Sequence, residues 1–223
     1  HKKIDDQIRN GTSVASVEDV RELLSTNEDS KRYFFSVANE SWLKWLWKNG
    51  FLDEIMKPAG DVTKYAYRLP ELDYLSRMAE KESKLVTDIM LEVKSTPEAF
   101  NPEVIDRFTW AATFLPAEDL KRLALKIKEE DWIRLMSRFN RWGFEYEKIL
   151  EKLAQAKDYE SILIVAESIF SLRRKEELKD GELGYSADNP FYFNDLAYTK
   201  VFEYLADVDD AHLEQALALV VGV

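Results

Sequence analysis

The side chains that could do chemistry are few, and their spacing does not suit it. The chain has no cysteine, which excludes disulfides, thiolate metal sites and a cysteine nucleophile. Its only histidines are His1 and His212, too few for a multi-histidine metal site. His212 falls near the start of the last expected helix, and the local sequence supplies no partner that would make it a base. Paired acids are plentiful: Asp5-Asp6, Glu129-Glu130-Asp131, Glu176-Glu177 and Asp209-Asp210. Two carboxylates can serve a glycosidase or hold a divalent cation. None of these pairs has calcium-loop spacing, and each reads as a solvated helix face or a helix start. Nothing matches the glycine-rich phosphate loops, H-E-x-x-H or G-x-S-x-G. Gly181 and Gly184 lie in an acidic loop that would repel phosphate. The chain therefore reads as non-catalytic, with no cofactor and no metal.

The remaining candidates are aromatic and suit contact with a partner. Trp42 and Trp45 stand three apart and share a helix face, while Trp47 points away from Trp45. They read either as packing between two hairpins or as an exposed platform for a peptide or a sugar. Arg138, Arg141 and Trp142 belong to the basic and aromatic connector Arg138-Phe139-Asn140-Arg141-Trp142-Gly143-Phe144. Arginine beside an aromatic ring is how single-stranded nucleic acid is held, but Glu145, Glu147 and the overall charge oppose that use. Phe191, Tyr192 and Phe193 close the one long loop, 178–193. A loop of that length is functional or mobile, and its three aromatics either plug a gap between hairpins or meet a partner.

The 223 residues carry 31 Lys+Arg and 42 Asp+Glu, a net charge of −11. That balance disfavours nucleic acid as a partner and favours a basic protein surface. The longest apolar runs, Ile162 to Ala166 and Ala216 to Val221, are far short of the ~20 residues that span a bilayer. With no signal peptide and no cysteine, a cytoplasmic location is expected. The apolar end of the sequence suggests a fragment of a longer protein.

These residues must be positioned by helices. Residues 1–16 read as a polar lead-in. From Val17 onward the start signals are those of helices: Ser16, Asn101, Asp158 and Asp209 as caps, and Pro70 and Pro102 at first positions. Apolar spacing places helices at about 17–25, 30–38, 40–49, 70–81, 82–95, 102–114, 117–129, 131–139, 144–157, 159–177, 194–206 and 209–222. Ile162-Leu163-Ile164-Val165 has strand propensity. The apolar stretch continues through Phe170 without a turn signal, so a buried helix is expected there.

A loose unit recurs in which an aromatic or aliphatic pair leads to a small alanine, a corner and a second apolar helix. The alanines are Ala38, Ala79, Ala112, Ala156 and Ala206, spaced by 41, 33, 44 and 50 residues. This hairpin period resembles the HEAT-like α-solenoid arrays of large multidomain proteins over Val17 to Val223. The resemblance implies an all-α fold of antiparallel hairpins stacked as a right-handed solenoid; a compact helical bundle is the alternative. The stretch Tyr33-Phe34-Phe35 through Trp42 to Leu52 also resembles the opening of helical arrays in large bacterial proteins. Some of those carry an NTPase module and act in phage defence. That likeness implies a sensor or scaffold array, although no NTPase motif is present here. Both point to a scaffold making protein or interdomain contacts. The rival is a HEAT-like nucleic-acid-binding protein or DNA glycosylase, which needs Lys121, Arg122, Lys126, Lys128, Arg134, Arg138 and Arg141 along one face.

Overall fold

The computed structural model describes residues 2–57, 69–94, 101–130, 132, 144–180 and 195–221, with backbone alone at 102, 144, 170–180, 195–199 and 220. Among them are twelve α-helices and no strand. In chain order these are α1 (Lys2–Asn10), α2 (Val17–Ser25), α3 (Glu28–Val37), α4 (Leu43–Lys48), α5 (Pro70–Met78) and α6 (Ser83–Glu92). They continue with α7 (Pro102–Ala112), α8 (Ala117–Glu129), α9 (Phe144–Gln155), α10 (Tyr159–Asp180), α11 (Asp195–Ala206) and α12 (Leu213–Val221). Two 3₁₀ turns, Glu40–Trp42 and Asp53–Met56, flank α4.

Start signals become bonds. The Ser16 hydroxyl accepts the Asp19 N–H at 3.2 Å, and the Asn101 side chain accepts the Glu103 N–H at 3.1 Å. Asp158 accepts from Ser161 at 3.3 Å, and Asp209 accepts from His212 at 3.1 Å. Each satisfies an amide that the first helical turn leaves without a partner. Asn27, which the sequence reading passed over, caps α3 by accepting the Ser30 N–H at 2.7 Å.

Helix ends obey equally local rules. After α4 the Phe51 N–H reaches the Leu46 carbonyl and the Gly50 N–H reaches Trp47, with Gly50 at φ +75°. This is the paired-bond stop that favours glycine. A Cβ on Gly50 would meet the Asp53 carboxylate at 2.9 Å. The same stop ends α9 through Asp158 to Leu153 and Lys157 to Ala154, but there Lys157 holds the left-handed conformation, at φ 56°.

Two expectations need correction. The polar lead-in contains a helix, Lys2–Asn10, that buries Ile4 and packs on α3. Tyr33 donates to Asp5 at 2.8 Å across that contact. One apolar residue in a polar segment was too thin a pattern to show it. The corner alanines divide: Ala38, Ala79 and Ala112 are buried, whereas Ala156 and Ala206 are exposed.

Packing follows helix order. One row runs α1–α3–α5–α7–α9–α11, each packed on the next, and a second runs α6–α8–α10–α12. The main partners of each helix lie one or two places away. α10 touches α8, α9, α11 and α12, which explains why Ile162 to Ile169 is apolar nearly all round. It is a helix in a crowded position, not a strand. Of the expected helix 131–139 only Trp132 is described, and it is buried; the aromatic end of the long loop lies outside the described residues.

Beyond the Tyr33–Asp5 bond, many polar bonds between neighbouring helices join partners at similar separations. Arg77 donates to the Phe35 and Ala38 carbonyls, Lys126 to those of Leu91 and Val93, and Lys152 to that of Leu115. Ion pairs link Lys31 to Glu71, Lys81 to Glu40, Arg107 to Asp73, Arg122 to Asp88 and Lys128 to Glu167. All these partners stand between 33 and 42 residues apart.

Candidate interaction groove

The site begins with α7. Its core face is Val104, Ile105, Phe108, Ala111 and Ala112, all buried. Trp110 is two residues past Phe108, so helical geometry turns it away from that face. It is 36% exposed, and Phe114, in the turn after α7, is 39% exposed. Their rings meet edge to face, with centroids 5.5 Å apart. The pair forms one wall of an open groove of about 530 Å³ where α7 packs on α5. Asp73, Ser76, Arg77, Met78, Glu80, Lys81 and Arg107 complete the lining.

Charge on this lining is held by neighbouring elements. Arg77 is anchored by the carbonyls that close α3, its guanidinium carbon 5.6 Å from the Tyr74 ring centre. Lys81 pairs with Glu40 at 3.2 Å, and Arg107 with Asp73 at 3.4 Å. The Lys148 ammonium lies 5.7 Å from the Trp110 ring centre, within cation–π range. Lys81 and Arg107 are thus paired with carboxylates, and Arg77 is bound to backbone carbonyls. Burial holds the nearby Lys152 ammonium below its ordinary 10.5, with the Glu80 carboxylate opposing that shift.

Of the residues singled out from sequence, Trp42 is described and is corrected. It is wholly buried, between Phe34 at 5.4 Å and Trp45 at 5.4 Å, and presents no ring face to a partner. The cause is that the 3₁₀ turn and α4 aim it into the core. Trp45 is half-buried and stacks on Phe51 at 5.3 Å. Arg138, Arg141, Trp142, Phe191, Tyr192 and Phe193 lie outside the described residues. Trp110 was not among the residues singled out from sequence. The missed signal was a tryptophan on the solvent side of an amphipathic helix.

The basic residues required for a nucleic-acid face are engaged elsewhere. Lys121 lies near Asp158 and Glu160, Arg122 pairs with Asp88 and Asp119, Lys126 with Glu130, and Lys128 with Glu167. Arg134 is outside the described residues. Among the described residues no cluster of three His, Asp or Glu could hold a metal, and no helix is long and apolar enough to cross a membrane. Comparison with family models, curated proteins and solved structures finds no match to this chain.

Proposed function

We propose that the chain is a non-catalytic scaffold whose helical hairpins stack as a HEAT-like α-solenoid and which makes protein or interdomain contacts. The stacking is supported by the two rows of helices and by polar bonds whose partners stand 33 to 42 residues apart. A solenoid puts each unit against its neighbours alone and leaves extended surfaces for partners. The observation that carries the function is the apolar groove with Trp110 and Phe114 on its wall. Tryptophan is enriched among the residues that dominate binding energy, and an exposed pair of rings in a concave, mostly apolar site is where an anchor side chain fits. The nucleic-acid reading is weakened because its described cations are held by carboxylates.

The test is site-specific photo-crosslinking in an extract of the source cells. A benzophenone amino acid at Trp110 is compared with the same probe at Leu125, an exposed apolar position on α8. Partner adducts at Trp110, lost with Phe114→Ser, are expected. Equal yield at the two positions would end the contact-site reading.

A further inference from the structure

We draw no further inference here: the strongest candidate, the apolar stripe of Leu213, Leu217 and Val221 along the exposed side of α12, carries nothing, since nothing in the structure shows what covers it.

Discussion

Lys126 gives the sharpest test of how neighbouring helices are joined. Its side chain is 8% exposed, and its ammonium donates to the Val93 carbonyl at 2.6 Å, the Leu91 carbonyl at 3.3 Å and Glu130 at 2.7 Å. Leu91 and Val93 close α6, so a cation on α8 fills the place of amides that the helix end lacks. Lys126→Met keeps most of the aliphatic bulk and removes all three bonds. Charge-assisted bonds contribute about 1.5–3 kcal/mol each in net terms, and relief from burying an ammonium offsets part of their sum. A loss of about 2–3 kcal/mol is expected. Lys128→Met, on the same helix, breaks a single exposed pair with Glu167 at 2.6 Å and costs about 0–1 kcal/mol. Urea unfolding followed by circular dichroism separates them: with a slope of 1–3 kcal/mol per molar, the Lys126 midpoint falls by roughly 1 M or more and the Lys128 midpoint barely moves. Equal shifts, or a Lys126→Met variant as stable as the parent, would refute the idea that this cation closes the neighbouring helix.

Further outcomes follow from other sites. Trp42→Ala empties a fully buried position and costs about 3–5 kcal/mol, whereas Trp110→Ala costs under ~1.5 kcal/mol; thermal melts compare the two. Burial raises the Glu71 carboxyl above its ordinary 4.5 despite the Lys31 ammonium at 2.6 Å. The folded state thus holds that proton more tightly than the unfolded chain. Stability from this group is full below the ordinary value and is lost as pH rises through the raised one. Melting temperatures measured between about pH 4 and 7 should show that loss in the parent and not in Glu71→Gln. Lys157→Gly relieves the left-handed conformation at φ 56° and raises stability by about 0.5–1 kcal/mol in urea titration; a lower midpoint would mean that the lysine side chain contributes more than the backbone costs.

Much of the fold was legible because its signals are local. Asn101-Pro102 and Asp158 announce helix starts by chemistry that needs no tertiary context, and α5, α7 and α8 begin where their prolines and acids place them. Helix α1 was not legible, since its one buried side chain, Ile4, has meaning only when α3 supplies the surface beneath it. The groove was hidden for the same reason. Trp110 reads as a core residue until Phe108 and Ala111 are seen to take the inward face. Trp42 shows the converse: clustered tryptophans suggest a platform, yet 3₁₀ geometry drives the first of them inward. The charged lining of the groove was also unreadable, because Asp73, Arg77, Lys81 and Arg107 meet there only when α5 packs on α7.

The short reach of the contacts bears on how the chain comes into being. Among the described residues, the helix-closing bonds and ion pairs between neighbouring helices join partners no more than 42 positions apart. A helix leaving the ribosome therefore meets its partner after a few dozen further residues, not after the whole polypeptide has been made. Low sequence separation of this kind favours fast closure, and N-terminal segments fold while later ones are still being synthesised. The first stable nucleus is expected where α3 meets α5. There Phe34, Phe35 and Tyr74 are buried, and Tyr74 donates to the Asn39 carbonyl at 2.8 Å. Later helices then add to a template already in place.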